Sequence, residues 1–364
     1  MHNILHLDTG TGLRGGQQQL LMLARGLRDR GHRQLIVTLE GTALEVRACQ
    51  DGFRVFALPA HDLAHAHGIL QLRRLLRAEP FQILHAHDGK GQTISWLASL
   101  GMRVGRVASR RVTFLPARRI DSRFKYGRTC HSVIAISGFV KKLLLDAGVP
   151  DSRIEVIPDG VEVPEELPDA AVRTRTRTQW GMGAQEFVAG HLGAMTHEKG
   201  QDIASQAAAL LTKRLPEARV VLAAETLKPI LMIMPPNLRV IGYQENLTKY
   251  FAGLDLYIMP SRAEGLGSSA LLAMAHGVPV VASRVGGLPE IVEDGVNGWL
   301  VPPGEPAALA EAISQAAADR ARLLEMGAKA RERARAFSST IMVERTEALY
   351  EKVLVAGGQS KVKI

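Results

Sequence analysis

Apolar residues along the chain follow two alternating periods. Short, mostly apolar runs, typical of buried strands, alternate with segments in which apolar residues recur every three or four positions, as on one face of a helix. In the first half the strand-like runs are residues 3–8, 33–40, 53–59, 81–88, 106–112, 132–137 and 153–161. The helical periods lie between them, at 18–30, around 69–77 and at 139–147. This alternation predicts an α/β fold with a parallel, doubly wound sheet.

The alternation stops after the first half and then starts again. Residues 163–183 contain prolines, many charges and the run RTRTRT, and we interpret them as a linker or an exposed helix. Further strand-like runs follow at 186–194, 218–224, 238–244, 256–261, 279–283 and 298–302, with helices at 201–215 and from about 306 to 354. A chain of 364 residues exceeds what one core usually fills. We therefore predict two doubly wound domains, 1–165 and 185–343, a linker at 166–184 and a C-terminal helical segment at 344–364.

The composition is that of a soluble globular protein, with 46% hydrophobic and 22% charged residues and a mean hydropathy of +0.02. The chain starts without a cationic leader, and no apolar run reaches about 18 residues, so we expect neither a signal peptide nor a spanning helix. Cys49 and Cys130 lie far apart, which suits a reduced, cytoplasmic protein. Because C-x-x-C, H-E-x-x-H and D-x-D patterns are all missing, we expect neither a metal nor a cofactor.

Positive charge is concentrated in one part of the first half. The net charge is +9, and residues 103–142 contain eleven Lys and Arg residues against one acid, Asp121. Such a window is either an ordinary solvated face or a surface that meets an anionic membrane or an anionic substrate. Nucleic acid is not expected as a partner, because Phe114, Phe124 and Tyr126 are too sparse to form a stacking platform.

A glycine-rich turn follows the first predicted strand. Gly10, Gly12 and Gly15 have the G-x-G-x-x-G spacing of a dinucleotide-binding turn, and Glu40 ends the second strand, where such proteins carry an acid. In a dinucleotide turn the helix starts at about the second glycine, whereas here the helical period starts after the last glycine of the turn. We therefore interpret residues 10–16 as a flexible loop at a binding cleft. An NAD-dependent oxidoreductase stays as an alternative.

Two loops in the second half follow predicted strands, at the edge where open α/β sheets bind ligands. In the first loop, Lys199 and Gly200 precede a predicted helix, and a cation at a helix start suits a phosphate. In the second loop, Glu264 precedes the residues G-L-G-S-S and the next helix. A carboxylate beside phosphate donors suits a neutral group such as sugar hydroxyls. The two loops together indicate a nucleotide sugar; serine N-caps beside an unrelated surface glutamate are the plain alternative.

Several short motifs follow one another in a fixed order. They are R-G-G-Q-Q-Q from residue 14, H-A-H-D from 85, I-P-D-G-V from 157, E-K-G from 198, E-G-L-G from 264, and V-G-G-L-P-E-I-V from 285 followed by N-G-W-L-V-P-P-G from 297. In these motifs, and over nearly its whole length, the chain resembles the retaining glycosyltransferases of family 4, which have the GT-B fold. The resemblance implies two Rossmann-like domains facing each other across a cleft, with the C-terminal helix crossing back to the first domain.

The resemblance also implies roles for residues of both domains. Lys199 would contact the donor diphosphate, Glu264 would hold hydroxyls of the transferred sugar, and His87 would lie near the reacting sugar; these three are the expected catalytic residues. The further donor-side candidates are Gly15, Gly16, Gly193, Gly242, Gly265, Leu266, Gly267, Ser268, Ser269 and Leu272. The acceptor-side candidates are Arg14, Arg110, Arg111 and Asp159.

Two positions depart from the family pattern. The family's second glutamate, which usually holds the ribose, stands eight positions after the first, where this chain has Leu272. The family also often has an arginine after the glycine of its lysine loop, where this chain has Ala194. We therefore expect the ribose contact to be absent or made elsewhere, and Arg14, Arg110 or Arg111 to replace the missing cation.

The activity implied by the resemblance is transfer of a sugar from a UDP, GDP or ADP sugar to a glycan or lipid-linked acceptor, with the anomeric configuration kept and without a metal. The basic window suits an anionic lipid or a phosphorylated lipopolysaccharide core. We therefore expect a role in cell-envelope polysaccharide or lipopolysaccharide synthesis, in the cytoplasm or at the inner face of the cytoplasmic membrane. A nucleotide-sugar epimerase and an inactive nucleotide-sugar-binding protein stay as alternatives of the same fold.

Overall fold

The structure, a computed structural model, describes residues 1–59, 66–113, 119–224 and 234–356. The chain divides into two compact units: residues 1–160 together with the C-terminal residues from 339, and residues 161–338. Each unit is built on one parallel sheet. Within the described ranges, none of the helices combines the length and the apolar character that crossing a bilayer requires.

The described residues of the first unit form seven parallel strands. They are β1 (Asn3–Leu7), β2 (Arg33–Leu39), β3 (Arg54–Leu58), β4 (Ile83–Ala86), β5 (Gly105–Arg110), β6 (Ser132–Ala135) and β7 (Ile154–Val156). Their order in the sheet is β3-β2-β1-β4-β5-β6-β7, so β1 and β4 are neighbours, with His6 opposite His85. Every residue of β4 and all but the first of β1 are buried, as expected for a sheet that is covered on both faces.

Six helices connect these strands. They are α1 (Gly15–Asp29), α2 (Ala43–Gln50), α3 (Ala66–Ala78), α4 (Gly89–Ala98), α5 (Arg119–Gly127) and α6 (Gly138–Asp146). Three of them start at a short polar side chain that accepts a hydrogen bond from the first turn: Thr42 for α2, Asp88 for α4 and Ser137 for α6. These N-caps fix the residue at which each of the three helices starts.

Helix α1 begins at Gly15, earlier than the predicted start at residue 18. Gln17 makes the early start possible, because its Oε1 accepts a hydrogen bond from Arg14 N (3.0 Å) and its Nε2 donates to Asp8 Oδ1 (2.8 Å). Gly10 leaves room for the Gln17 side chain, since a Cβ there would overlap Gln17 Nε2. Gly15 and Gly16, predicted as part of the loop at 10–16, therefore lie in the first turn of α1, and the loop is limited to residues 10–14; the helix still starts three residues after the second glycine, Gly12.

The second unit contains six parallel strands. They are β8 (Phe187–Leu192), β9 (Ala218–Ala223), β10 (Leu238–Val240), β11 (Leu256–Met259), β12 (Val280–Ser283) and β13 (Gly298–Val301). Their order is β10-β9-β8-β11-β12-β13. Its helices are α7 (Ala170–Gln179), α8 (Gln201–Arg214), α9 (Leu247–Ala252), α10 (Ser268–Ala275), α11 (Leu288–Ile291), α12 (Pro306–Ala318) and α13 (Arg320–Arg335). The apolar core lies between the sheet, α8 and α12.

The segment predicted as a linker, 166–184, belongs to the second unit, which starts at residue 161. The whole RTRTRT run, residues 173–178, lies in helix α7, one face of which packs on the unit. Arg177 is 1% exposed, and it pairs with Asp255 (2.6 Å) while also donating to three backbone carbonyls. Arg173, one helical turn earlier, reaches the same carboxylate. The alternating charges did not reveal this buried face, because the partner carboxylate lies far away in sequence.

The predicted long C-terminal helix is divided into α12, α13 and α14 (Ser339–Ala356). Helix α14 packs in the first unit, and it starts at 339 rather than at the predicted 344. Two glycines allow this close packing: a Cβ on Gly26 of α1 would overlap Val343, and one on Gly105 would press on Val353. Tyr350 is fully buried and its hydroxyl lies 2.7 Å from His85 Nδ1. The return of the last helix to the first domain, implied by the resemblance, is thus confirmed.

Candidate functional site

The first candidate site lies where the strand order of the first sheet reverses, between β1 and β4. At such a switch point the loops after the two strands separate and leave a crevice at the carboxyl ends of the strands. Asp8 directly follows β1, and His87 and Asp88 directly follow β4. All three therefore lie at the edge where a ligand is expected.

His87 is part of a buried hydrogen-bonded cluster. Its Nε2 lies 3.0 Å from His6 Nδ1, and its Nδ1 lies 3.4 Å from Arg111 Nη1. His6 Nε2 in turn lies 3.0 Å from Gln34 Oε1. His85 is separate from this line, since its ring nitrogens face Tyr350 and Ser109.

Burial keeps these histidines uncharged. It lowers the pKa of His6 to about 4. Burial, and then the neighbouring imidazoles and Arg111, lowers the pKa of His85 and of His87 well below the usual range. At neutral pH His87 therefore acts as a hydrogen-bonding imidazole and not as a cation.

The acceptor-side candidates separate into two groups. Arg111 Nε donates to Asp159 Oδ1 at 2.9 Å, and Gly16 lies beside Arg111, so three of the predicted residues meet next to His87. Arg110 instead donates to Tyr126 Oη at 2.9 Å. Arg14, at the start of α1, is exposed. Of the three arginines suggested as substitutes for the missing cation, Arg111 is the one that contacts His87.

Two carboxylates at this edge, the buried Asp8 and the half-buried Asp88, were not predicted as site residues. Asp8 accepts hydrogen bonds from Gly10 N and from Gln17 Nε2, both at 2.8 Å. Asp88 accepts from Thr9 N and, at 2.7 Å, from Gly91 N. Burial, and then the charge of Asp88, raises the pKa of Asp8. The sequence does show an acid just after β1 and another just after β4. It does not show that β1 and β4 are neighbours in the sheet, so it could not indicate that the two acids lie together.

His6, His85 and His87 offer ring nitrogens that lie within 4.8 Å of one another. Three imidazoles are a common ligand set for zinc. Here, however, the facing nitrogens already have hydrogen-bond partners in Gln34, Tyr350, Ser109 and each other. A metal ion would have to displace these bonds, so the cluster is better described as a hydrogen-bonded network.

The second candidate site lies at the corresponding switch point of the second sheet, between β8 and β11. Lys199 ends a short turn after β8, and Gly200, in the left-handed region with a φ of +69°, leads into α8. A Cβ on Gly200 would overlap the carbonyl oxygen of Pro260, which follows β11. Glycine is therefore required there, and it brings the lysine loop next to the second predicted loop.

Lys199 and Glu264 form an ion pair. Lys199 Nζ lies 2.7 Å from Glu264 Oε2, and Ser261 Oγ lies 3.4 Å from the same oxygen. The side chains are 29% and 13% exposed, so both can be reached from solvent. The V-G-G motif packs against the backbone of Glu264. Gly287 N donates to the carbonyl oxygen of Glu264 at 3.3 Å, and Gly286 has to be glycine because a Cβ there would overlap the same oxygen.

The rest of the E-G-L-G loop leads into α10. Leu266 is buried and Gly267, with a φ of +107°, lies against Leu288. The hydroxyl of Ser269 faces Met259 Sδ (4.0 Å), which turns it toward the protein. Gly265 lies in this loop, and Ser268 is the first residue of α10.

An unpredicted ion pair joins the two loops. Arg262 donates to both carboxylate oxygens of Asp202 (2.8 and 2.6 Å). It also binds the lysine loop, through Arg262 N to Glu198 O at 2.7 Å and through its guanidinium to His197 O. This bidentate pair raises the pKa of Arg262 and lowers that of Asp202. Arg262 thus positions the loop of Lys199 and is not itself free for a diphosphate.

The other donor-side candidates lie at the same edge of the second sheet. Gly193 and Ala194 follow β8, and Ala194 is exposed. Gly242 follows β10 with a φ of +72°. Leu272 is half-buried on α10, one turn after Ser268, and its carbonyl accepts a hydrogen bond from His276 Nδ1. The side chain of Leu272 has no polar atom with which to hold a ribose.

A cavity of about 330 Å³ in the first unit lies elsewhere. Arg73, Arg77, Phe81 and Arg103 are among the residues that line it. Phe81 and Arg103 precede β4 and β5, so the cavity lies at the amino ends of these strands, opposite the edge that carries His87. It is therefore not the predicted site.

Two family models match the chain. The model described as "Glycosyltransferase Family 4" matches residues 13–164, and the one described as "Glycosyl transferases group 1" matches residues 186–319. The second match contains both donor loops. The first contains His85 and His87 of the histidine cluster, together with Arg111 and Asp159, whereas His6 precedes it.

Curated relatives are glycosyltransferases. A GDP-mannose-dependent alpha-(1-6)-phosphatidylinositol monomannoside mannosyltransferase from Mycolicibacterium smegmatis is 30% identical over 262 residues, which is 65% of this chain and 68% of the relative. A D-inositol 3-phosphate glycosyltransferase from Corynebacterium kroppenstedtii is 25% identical over 343 residues, 84% of this chain and 75% of the relative.

Solved structures agree with the predicted fold. Alr3699/HepE from Anabaena, in complex with UDP and glucose, matches with a TM-score of 0.86 at 23% identity, over 97% of this chain and all of that chain. At this identity the likeness concerns the fold, and it confirms the predicted GT-B class with its two Rossmann-like sheets. The family models and the 30% identical mannosyltransferase show that the chain belongs to glycosyltransferase family 4.

Proposed function

We propose that this glycosyltransferase moves a sugar from a nucleotide diphosphate sugar to a glycan or lipid-linked acceptor of the cell envelope, with retention of configuration and without a metal. The observation that carries the proposal is the Lys199–Glu264 pair at the switch point of the second sheet. The ammonium group suits the negative charge of a diphosphate, and the carboxylate accepts hydrogen bonds from sugar hydroxyls. Both requirements of a nucleotide sugar are met within one pair of loops.

The difficult step is departure of the nucleotide diphosphate, on which negative charge grows. Lys199 and the first backbone N–H groups of α10 are the donors that would meet this charge. Donors that are already in place lower such a barrier strongly. The bidentate Arg262–Asp202 pair supports this role, because it holds the lysine loop in a fixed position.

The bond that breaks joins the sugar to the diphosphate, and the new bond joins the same sugar carbon to an acceptor oxygen. Retention by two displacements would need a nucleophilic carboxylate. Glu264 is assigned to the sugar hydroxyls and is paired with Lys199. We therefore favour a route in which the leaving phosphate takes the proton of the acceptor hydroxyl on the same face of the sugar.

An anionic acceptor fits the first unit and the names of the relatives. The two relatives are named for phosphatidylinositol monomannoside and for D-inositol 3-phosphate, and both compounds carry a phosphate. Arg111, half-buried beside His87 and paired with Asp159, supplies a cation at the expected acceptor edge. The donor base stays open between GDP, named for the first relative, and UDP, bound in the Anabaena structure.

Contact with an anionic membrane is proposed for the exposed side of α5. Arg123 of α5 and Arg128, which directly follows the helix, are exposed there, and Phe124 is 45% exposed and packs edge-to-face on Trp96. Cations around a partly exposed aromatic residue are typical of interfacial helices. Of the other arginines in the basic window, Arg118 and the side chain of Arg119 lie outside the described residues.

Calorimetric titration of the purified protein with UDP, GDP, ADP, CMP and NAD tests the donor site. We expect one nucleotide diphosphate to bind, and Lys199→Ala to weaken it about tenfold or more, since hydrogen bonds to charged groups contribute about 1.5–3 kcal/mol. Lys249→Ala, which changes an exposed lysine of the same unit, serves as the matched control. Binding of NAD alone would overturn the proposal and favour the oxidoreductase alternative.

Transfer is tested separately from binding. The nucleotide sugar chosen by the titration is incubated with phosphatidylinositol, its monomannoside or D-inositol 3-phosphate, and the products are analysed by mass. A glycosylated product supports a transferase. An epimerised donor, or binding without any turnover, would identify one of the two alternatives that share the fold.

A further inference from the structure

Five polar side chains of the first unit form one hydrogen-bonded line, which we name the histidine chain. Its members are Gln34 of β2, His6 of β1, His87, Arg111 and Asp159. They come from five different strands or loops of the sheet, and His6 and His87 are at most 5% exposed. Neither Gln34 nor His6 was predicted as a site residue, although both are connected to His87.

The direction of every hydrogen bond in the chain follows from its two ends. At one end, Gln34 Nε2 lies 2.8 Å from the carbonyl oxygen of Ala24, which only accepts hydrogen bonds. The amide nitrogen of Gln34 is therefore the atom facing Ala24, and the oxygen is the atom facing His6. His6 Nε2 must then carry a proton and donate it to Gln34 Oε1, at 3.0 Å.

The same logic passes through His6 to His87. A neutral imidazole has one N–H, so His6 Nδ1 is an acceptor, and His87 Nε2 must donate to it at 3.0 Å. His87 Nδ1 is then an acceptor as well. Arg111 is a donor only, and its Nη1 faces Nδ1 at 3.4 Å while its Nε is bound to Asp159. No bond in the chain pairs two donors or two acceptors.

We infer that Gln34 and His6 are positioning residues that hold His87 as its Nε2–H tautomer, with the lone pair of Nδ1 directed to the ligand edge of the sheet. At 3.4 Å the contact from Arg111 is long, so a sugar hydroxyl can donate to the same lone pair. His87 then orients an acceptor or donor hydroxyl without carrying charge. This catalytic consequence rests on the proposed function, whereas the tautomer does not.

The charged and titratable groups around the histidine chain are compatible with the assigned tautomers of His6 and His87. They are His32 before β2, His85 beside both rings, Tyr350 of α14 on His85, Arg111 after β5, and Asp8 and Asp88 at the ligand edge. Burial, as the largest cause, lowers the pKa of His6 to about 4, so the ring stays neutral and the single-proton argument applies.

Two substitutions at Gln34 act in opposite directions. Gln34→Glu keeps an acceptor for His6 Nε2 and therefore keeps the tautomer of His87. Gln34→Lys offers only donors, so His6 must accept at Nε2 and donate at Nδ1, and His87 must accept at Nε2 and place its N–H against Arg111. The two variants introduce charges of opposite sign: Gln34→Glu loses the donor to the carbonyl oxygen of Ala24, and Gln34→Lys loses the acceptor for His6 Nε2. A merely structural role of Gln34 would leave the tautomer of His87 unchanged in both variants.

The test uses the full chain with isotope-labelled histidine and reads the ring tautomers by nuclear magnetic resonance at neutral pH. We expect the Nε2–H form of His6 and His87 in the wild type and in Gln34→Glu, and the Nδ1–H form of His87 in Gln34→Lys. We expect kcat to fall about tenfold or more in Gln34→Lys with little change in the donor KM, and to stay within a few-fold in Gln34→Glu. Gln82→Lys, a half-buried glutamine of the same unit whose oxygen accepts from Asn3 N, is the control and should keep the wild-type tautomers.

A charged His87 or an Nδ1–H His87 in the wild type would overturn the inference, and so would an unchanged tautomer in Gln34→Lys. If Gln34→Lys does not fold, the wild-type spectrum still decides. A wild type that has the expected tautomers but transfers no sugar would contradict the proposed function and leave the tautomer assignment intact.

Discussion

Lys199 Nζ lies 2.7 Å from Glu264 Oε2, so each of the two groups assigned to the donor is the partner of the other. A diphosphate and a sugar would have to compete with this ion pair, one for each member. The pair is therefore the main argument for a nucleotide-sugar site. Donor binding would have to replace the Lys199–Glu264 interaction by contacts to the diphosphate and the sugar. Because the side chains are only partly exposed, the pair is less screened than a surface ion pair.

Glu264→Gln should separate the two halves of the donor. The substitution removes the charge that holds Lys199, so we expect the nucleotide diphosphate alone to bind as tightly as in the wild type, or a few-fold more tightly. Transfer should fall about a hundredfold, because hydrogen bonds from sugar hydroxyls to a charged group contribute about 1.5–3 kcal/mol. Calorimetry and initial rates measure the two effects. Glu198→Gln, an exposed acid of the same lysine loop, is the control; a loss of nucleotide binding in Glu264→Gln as large as in Lys199→Ala would contradict the assignment.

Leu272→Glu should create a ribose contact that this chain lacks. The wild type is expected to bind the nucleotide diphosphate and its deoxyribose analogue with similar affinity, since the half-buried Leu272 cannot accept a hydrogen bond. With glutamate there, the ribose form should bind about tenfold more tightly than the deoxyribose form. Titration of both nucleotides into Leu272→Glu and into Leu272→Met, which keeps the volume, measures this. Strong discrimination by the wild type would show that another residue holds the ribose.

Arg177→Met should destabilise the second unit far more than Arg175→Met. Arg177 is buried and bound to Asp255 and three carbonyls, whereas Arg175 lies exposed on the same helix. Removing one partner of a buried ion pair typically costs about 3–5 kcal/mol. Chemical denaturation measures the free energy of unfolding of both variants. Equal losses of stability at the two positions would contradict this prediction, because they would show that the arginines stabilise only helix α7 and not the network around Asp255.

Stability should fall as the pH drops from about 6.5 to about 4. Burial lowers the pKa of His6 and of His191 from 6.5 to about 4, so within this window the unfolded chain binds protons that the folded chain does not. Each of the two contributes on the order of 3 kcal/mol by the lower end of the window. The raised pKa of Asp8 has the opposite effect on stability, because the folded chain holds that proton more tightly than the unfolded chain, but it offsets only part of the effect of the two histidines. Thermal unfolding followed by calorimetry at several pH values checks this; a midpoint that stays constant through the window would contradict it.

Removing the charges of Arg123, on α5, and of Arg128, directly after this helix, should weaken binding to anionic vesicles. Arg123 and Arg128 flank the exposed Phe124, and each basic residue near such a surface contributes about 1 kcal/mol, so Arg123→Ala with Arg128→Ala should reduce partitioning about tenfold or more. Co-sedimentation with phosphatidylserine vesicles measures it. Arg175→Ala with Arg322→Ala removes the same charge from exposed positions of the other unit. If both pairs behave alike, the effect is one of net charge and not of α5.

Much of the architecture is already visible in the order of residues. The alternation of strand-like and helical periods predicted both doubly wound sheets, because which face of an element is apolar depends on neighbouring residues only. The loops after the strands pointed to Lys199 and Glu264, since the carboxyl ends of parallel strands meet at one edge, whereas His87 was named only through the family resemblance. The family motifs then assigned roles to these three residues, and they could not show which other groups surround them.

Partners far apart in the chain became visible only in the folded protein. His6 and His87 are hydrogen-bonded because β1 and β4 are neighbours, and this strand order has no local signal. Arg177 looked like part of a solvated run until its helix was placed against Asp255. Asp8, Asp88 and Arg262 were missed for the same reason. The period of apolar residues is a local property of the chain, whereas the pairing of polar groups depends on which elements the packing of the core brings together.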